Sequence, residues 1–368
     1  MPITVMQILP ALEGGGVERG TLEVANELVR KGHRSIVLSA GGRLVEALRQ
    51  SGSEHVDLPL GKKSLLLLRY IPLLRKIFSG VDIIDVHSRF PAWLAWLAWR
   101  GMDEQTRPGF ITTVHGANSV NRYSRIMTSG ERIIVVSGYI RNYIIENYPG
   151  IKPDHIFTIP RGIDPDVYYP GFTPTQQWRQ DWHQQYPRLQ GRYLLTLPGR
   201  ITRRKGHEDF LGILSGLKDK IPGIHGLVVG THHPRKLSYF QSLQKMAEAM
   251  GIKDKVTFTG HRNDLREIMS ISDIVLSLSG KPEAFGRTAL ESLCLGTPVI
   301  AYDHGGASEI LQALFIDGLV EPENINAVID KVMAIQRNKP GISQRNPFLL
   351  QDMLDQTIRC YEDLAGTG

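Results

Sequence analysis

Short apolar runs alternate with helix-like stretches along this chain, and that rhythm constrains the fold more than any other feature. In the first half the runs include Ser35-Ile-Val-Leu-Ser39, Val81-Asp-Ile-Ile-Asp-Val86, Gly109-Phe-Ile-Thr-Thr-Val114 and Arg132-Ile-Ile-Val-Val136. In the second half Tyr193-Leu-Leu-Thr-Leu197, Gly226-Leu-Val-Val229, Val256-Thr-Phe-Thr259, Ile274-Val-Leu-Ser-Leu278 and Pro298-Val-Ile-Ala301 repeat it. Short strands buried on both faces and separated by helices form parallel, doubly wound sheets. A chain of 368 residues is too long for one core and suits two domains. The rhythm breaks between about Ile163 and Arg192, a stretch rich in Pro, Gln, Trp and Tyr. The expected architecture is α/β, with two Rossmann-like doubly wound domains and a cleft between them. The expected divisions are a first domain at 1–165, a linker or insertion at 166–192, and a second domain at 193–345. A last helix lies within 346–368 and packs back toward the first domain.

Composition narrows the class. A hydrophobic content of 42% with 22% charge is globular, not disordered. The two cysteines are Cys294, inside Leu293-Cys-Leu295, and Cys360; a buried thiol is the expectation rather than a bridge, which suits a reducing compartment. Met1-Pro-Ile-Thr-Val-Met-Gln-Ile-Leu9 has no basic lead and reads as a first strand. No apolar run reaches the roughly 18 residues of a membrane-spanning helix. The expected location is cytoplasmic, with peripheral contact on the cytoplasmic face of the inner membrane left open. The net charge is +6, and up to Pro170 there are 20 Lys and Arg against 16 Asp and Glu. This excess suits an anionic partner and is too diffuse to indicate nucleic acid.

Four segments carry chemistry. Gly14-Gly15-Gly16 follows the first strand and precedes a helix over Val17 to Lys31, so Gly15 and Gly16 read either as a phosphate cradle or as a plain turn. Arg19 stands where a dinucleotide fingerprint needs its third glycine. Gly199-Arg-Ile-Thr-Arg-Arg-Lys205-Gly206 places Arg200, Arg203, Arg204 and Lys205 at a strand's carboxyl end, where cations hold phosphate or form a solvated loop. In Glu283-Ala-Phe-Gly-Arg-Thr-Ala-Leu-Glu291, Gly286 turns the chain so that Arg287, Thr288 and Ala289 present N–H groups at a helix start. Glu291 then points back toward the same end of the sheet, and a carboxylate can accept from two hydroxyls at once. Gly305-Gly306-Ala-Ser-Glu309 makes another glycine turn after the next strand, and His87 and His115 each end a strand of the first domain. No H-E-x-x-H or cysteine cluster suggests a metal. Sites for phosphate and for hydroxyls together point to a nucleotide-activated sugar as ligand.

These residues in this order resemble the GT-B fold glycosyltransferases of family four, the retaining enzymes. The likeness rests on Glu18-Arg19 after the glycine loop, Thr113-Val-His-Gly116, Val135-Val-Ser137 and Pro160-Arg-Gly-Ile-Asp164. It continues through Gly199-Arg200 with Lys205-Gly206, Gly260-His-Arg-Asn-Asp264, the Glu283/Glu291 pair and Gly305-Gly306 with Glu309. Arg161 departs from it, standing where the family often shows Asn. The resemblance implies metal-independent transfer with retention, without a cofactor beyond the donor substrate. It implies that Arg200 and Lys205 neutralise the donor diphosphate, Glu283 holds the sugar and Glu291 the ribose. Backbone N–H groups from Phe285 through Gly286, Arg287 and Thr288 to Ala289 would support sugar and phosphate. His115 would lie near the transferred sugar, and Arg262 would border the base.

The expected reaction is hexose transfer from a nucleotide diphosphate sugar, UDP-sugar foremost, to a bacterial envelope glycan or glycolipid such as lipopolysaccharide core. A nucleotide-sugar epimerase or hydrolase on the same fold, and a non-catalytic nucleotide-sugar sensor, remain as alternatives. Residues 61–78 hold five cations and no acid among many leucines, which reads as a membrane-surface segment or as a core helix with cationic ends. Trp93, Trp96 and Trp99 recur at helical spacing and are expected to pack against the sheet.

Overall fold

The computed structural model describes residues 1–61 and 64–366. It divides into two compact units, Met1–Gly162 together with the segment from Leu350 onward, and Ile163–Leu349. The strands of the first unit are β1 (Thr4–Ile8), β2 (Arg34–Ser39), β3 (Glu54–Asp57), β4 (Ile83–Val86), β5 (Gly109–Val114), β6 (Arg132–Val135) and β7 (Ile156–Thr158). Those of the second are β8 (Tyr193–Pro198), β9 (Ile224–Val229), β10 (Val256–Gly260), β11 (Ile274–Ser277), β12 (Val299–Tyr302) and β13 (Leu319–Val320).

Both sheets are parallel and wound the same way. The first runs β3-β2-β1-β4-β5-β6-β7 and the second β10-β9-β8-β11-β12-β13. Strand order reverses between β1 and β4 in one unit and between β8 and β11 in the other. In such sheets a ligand crevice opens at the carboxyl ends of the strands beside that reversal. Each unit therefore has one position built for a ligand, and the candidate residues sort around those two positions.

Burial explains the strands. Val5, Met6, Ile83, Ile84, Ile111 and Ile133 of the first sheet are essentially inaccessible, as are Leu195, Leu227, Ile274 and Val299 of the second. Helices cover both faces of such strands, and the apolar area removed from water stabilises the unit at about 25 cal/mol per Å².

The stretch 166–192, expected as a linker or insertion, belongs to the second unit and contains the helix Gln176–Gln185. Trp182 on that helix is buried with Leu189, Leu194, Leu227, Val229 and Ile268, so one aromatic anchor replaces the apolar period that the segment lacks. The final helix, Leu350–Leu364, is part of the first unit. There Met353, Leu354, Ile358 and Tyr361 join the core made by Ile3, Val5, Ile83, Ile111 and Ile134.

The tryptophan stripe lies on the helix Arg89–Arg100. Trp99 is buried and donates through Nε1 to the Pro108 carbonyl at 2.7 Å. Trp93 and Trp96 are half-buried and meet edge to face at 5.8 Å. Cys294 and Cys360 are free thiols, and burial pushes that of Cys294 up to about 12.

Candidate active site

The second unit gathers its basic loop and its acidic motif at the reversal between β8 and β11. Gly206, with φ of +71°, starts the helix His207–Leu217. A side-chain carbon there would stand 2.1 Å from the Leu278 carbonyl oxygen, so only glycine lets the loop lie flat against the end of β11. The Gly280 N–H donates to the Arg204 carbonyl at 2.9 Å and ties the two segments together.

That closeness delivers Lys205 to Glu283. Nζ lies 2.5 Å from Oε1, and the Ser279 hydroxyl donates to the same oxygen. The backbone on either side is fixed as well. The Glu283 carbonyl accepts from Gly306 N–H at 2.8 Å, and His304 Nε2 donates to the Ser279 carbonyl at 2.7 Å. Burial alone would push the Glu283 carboxyl up. Lys205, the Ser279 hydroxyl and the nearby Arg204 charge outweigh it and hold the group below its ordinary value. Glu283 is therefore an ionised, oriented acceptor at neutral pH.

The four loop cations have separate fates. Lys205 turns inward. Arg203 pairs with Glu208 at 2.9 Å and lies 4.8 Å over the Tyr239 ring. Arg200 and Arg204 are exposed. Gly286 precedes the helix Arg287–Cys294, on which Glu291 is buried and accepts from Arg287 Nε at 3.0 Å. The expected row of amides is shorter than the sequence implied, because Ala289 N–H already donates to the Gly286 carbonyl at 2.9 Å. Thr288 N–H donates to no backbone group among the described residues, and Phe285 is buried against Phe348. Arg262, expected beside a base, is engaged by Asp264 at 2.8 and 2.6 Å and by Gln185 at 2.9 Å. It also packs 5.5 Å over Trp182. Beside it an open hollow of about 470 Å³ is lined by Trp178, His261, Arg262, Asn263, Asp264 and Glu267.

The first unit holds a different set. Gly15 caps the helix Gly16–Arg30. The Glu18 carboxylate folds back so far that a side-chain carbon on Gly15 would touch it at 2.4 Å. An acidic group thus stands at that helix start, where the macrodipole favours it. His87 and His115, at the ends of β4 and β5, stack with centroids 5.1 Å apart and share a 2.9 Å hydrogen bond. His115 Nδ1 accepts from Arg161 Nη2 at 2.8 Å. Below them Asp85 accepts from Tyr361 at 2.6 Å and from Thr113 at 2.7 and 2.9 Å. The sequence reading missed Ser279, His304, Asp85 and Tyr361, which carry no local signal. It also passed over Trp178, Trp182 and Tyr186, whose spacing of four was visible.

Two doubly wound units, one with a Lys–Glu pair and a glycine-turned helix at its strand reversal, define a GT-B fold transferase. A model described as Glycosyltransferase Family 4 matches residues 14–167, and one described as Glycosyl transferases group 1 matches 179–347. The chain belongs to this family of glycosyltransferases. A glycosyltransferase from Rickettsia africae ESF-5 superposes with a TM-score of 0.85 at 28% identity, with all of both chains covered. Anabaena HepE, solved with UDP, superposes with a TM-score of 0.78 at 19% identity over 98% of this chain and 100% of that one. Mannosylfructose-phosphate synthase of Agrobacterium fabrum is 30% identical over 52% of this chain. That match spans 43% of the relative's own length, less than half of it.

Proposed function

We propose that this protein moves a hexose from a nucleotide diphosphate sugar, UDP-sugar foremost, to a cell-envelope glycan or glycolipid such as lipopolysaccharide core. The transfer retains configuration and needs no metal. The second unit takes the donor and the first takes the acceptor. The observation that carries the reading is the contact between Lys205 and Glu283 at the β8/β11 reversal.

The chemistry follows from the charge each group supplies. As the bond from the sugar C1 to the diphosphate oxygen breaks, that oxygen gains the electron pair. In this reading Lys205, Arg200 and the helix start at Thr288 stabilise the growing charge, as an oxyanion hole does. The acceptor hydroxyl bonds to C1 on the face the diphosphate leaves, and its proton passes to the departing phosphate oxygen. Glu283, ionised and braced by Ser279, grips sugar hydroxyls. Glu291 does the same for the ribose, with Arg287 orienting it. UDP is favoured because a protein of this fold, Anabaena HepE, was solved with UDP.

Residues 64–78 support contact with an anionic membrane surface. Leu67, Leu74 and Phe78 point into the core, while Leu65, Leu66, Leu68 and Leu73 are exposed beside Arg69, Arg75 and Lys76. Lys62 and Lys63, counted in the same basic stretch, lie outside the described residues. No helix among the described residues is long and apolar enough to cross a membrane.

The test is a panel of UDP-, GDP- and ADP-sugars, read by thermal shift and by transfer to glycolipid acceptors. A donor that binds only the folded protein adds about 2.7 kcal/mol of stability at a hundred times its Kd. If no nucleotide sugar shifts the melting point or is consumed, the proposal fails. Release of free sugar without an acceptor product would favour a hydrolase instead.

A further inference from the structure

Arg161, His115, His87 and Asp85 of the first unit lie in one directed row, and its direction can be read without seeing a hydrogen. A guanidinium only donates. Arg161 Nη2 at 2.8 Å from His115 Nδ1 therefore makes Nδ1 an acceptor. A neutral imidazole has one proton, so that of His115 sits on Nε2, which lies 2.9 Å from His87 Nδ1. His87 must accept there and carry its own proton on Nε2, which makes no hydrogen bond and lies 3.6 Å from Asp85 Oδ2, an electrostatic contact only. Asp85 closes the row by accepting from Tyr361 and Thr113. Every proton points from Arg161 toward Asp85.

A charged His115 would break this order, because an imidazolium has no lone pair to offer Arg161. Burial, the Arg161 charge and His87 push the His115 ring well below its ordinary value. His87 is lowered too, by burial against the opposing pull of Asp85. The packing agrees with a dedicated arrangement. Arg161 passes so close to Gly20 that a side-chain carbon there would lie 2.1 Å from Nη1, and Met353 Sδ flanks the same nitrogen at 3.9 Å.

We propose that Arg161 is a positioning residue for the transfer reaction: it fixes His115 as the Nε2–H tautomer, with both ring nitrogens committed, so that His115 meets substrate as a fixed surface and not as a proton carrier. Asp85 is the opposite pole of the same lock, and Tyr361 brings the final helix into it. This rests on the proposed transfer reaction, to which His115 contributes from the first unit. It also gives a reason for arginine where the family often shows asparagine: a half-buried cation at one end balances the carboxylate at the other.

The experiment is nitrogen-15 NMR of the histidine rings in the full-length protein from pH 8 to pH 5, with Arg161→Met and Arg161→Lys compared. Native His115 is expected to show an unprotonated Nδ1 and a protonated Nε2 across the range. Arg161→Met should mix the tautomers and let the ring protonate within that range. It should lower kcat by on the order of 10²-fold with donor KM little changed, and Arg161→Lys, which still donates, should recover most of the rate. A proton on native Nδ1, or a native imidazolium at pH 7, overturns the proposal, as does Arg161→Met with native spectra and native kcat. If Arg161→Met does not fold, the native spectra and Arg161→Lys still decide. If the native protein transfers no sugar at all, the proposed reaction falls, and the spectra judge the tautomer by themselves.

Discussion

Lys205 and Glu283 are 78 positions apart in sequence, yet Nζ and Oε1 meet at 2.5 Å. Each arrives on its own loop at the carboxyl end of its sheet, one after β8 and one after β11. The pair is half-shielded, with the side chains 32% and 18% exposed, so its worth as an isolated salt bridge is small and screened. Its value is positional: on the proposed reading, a donor diphosphate arriving there would meet a cation already aimed and a carboxylate already ionised.

Lys205→Ala should therefore cut turnover by on the order of 10²-fold or more, since one preorganised donor to a developing oxyanion is removed. The same change strips Glu283 of its main cation and leaves burial opposed only by the Ser279 hydroxyl and the Arg204 charge, so its carboxyl should titrate higher. A rate profile against pH checks both at once. A near-native rate with an unchanged acidic limb would remove Lys205 from the mechanism.

Much of the fold could be read from the sequence because buried parallel strands are short apolar runs whatever their partners. The eye misses β3, whose Glu-His-Val-Asp composition is mostly polar, and β13, which is two residues long. The helix Gln176–Gln185 has no aliphatic stripe, and its one periodic signal is aromatic: Trp178, Trp182 and Tyr186 recur every four residues, the first two stacked and the last tilted against Trp182. Glu283 and Lys205 stood out because glycine turns and clustered charge are local patterns. Asp85 and Tyr361 did not, because 276 positions separate them and neither has a distinctive neighbour. Arg262 is expected to border the base from its place in a motif; the structure adds that Asp264 and Gln185 hold it beside an open hollow, an arrangement that no spacing announces.

Glycine substitutions should separate support from space. Gly206→Ala forces a left-handed backbone on alanine and drives a carbon into the Leu278 carbonyl, so it should cost about 1–3 kcal/mol and displace Lys205. Gly16→Ala meets nothing within 4 Å and should leave stability unchanged or slightly raised. Urea unfolding of both variants provides the comparison. Loss of activity in Gly16→Ala at full stability would speak for the phosphate reading of that loop, and full activity for a plain turn.

Acid should weaken the fold in a defined window. His207 and His225 are held at about 4 by burial, against an ordinary value of 6.5. A depressed value means that the unfolded chain takes up the proton first. Stability is thus complete above about pH 6.5 and declines as pH falls toward about 4, where the folded protein begins to protonate as well. Each group accounts for ~3 kcal/mol over that interval at most. Melting curves from pH 8 to pH 4 should show the decline, and His225→Gln should flatten it. A melting point independent of pH over that range would mean that these rings stay accessible to protons.

The membrane surface gives the last test. Leu65 and Leu66 are 83% and 74% exposed, far more than large apolar side chains on a capped surface need be, and cations flank them. Apolar side chains entering the interface and basic ones facing anionic headgroups act together, each basic residue contributing about 1 kcal/mol near such a surface. The protein should float with vesicles containing anionic phosphatidylglycerol and stay behind with neutral phosphatidylcholine. Leu65→Ser with Leu66→Ser should abolish flotation while the melting point holds, because neither side chain is part of the core. Salt near 1 M should release the protein, since the screening length there is only about 3 Å. Flotation that ignores both lipid charge and the two leucines would place any membrane contact elsewhere on the chain.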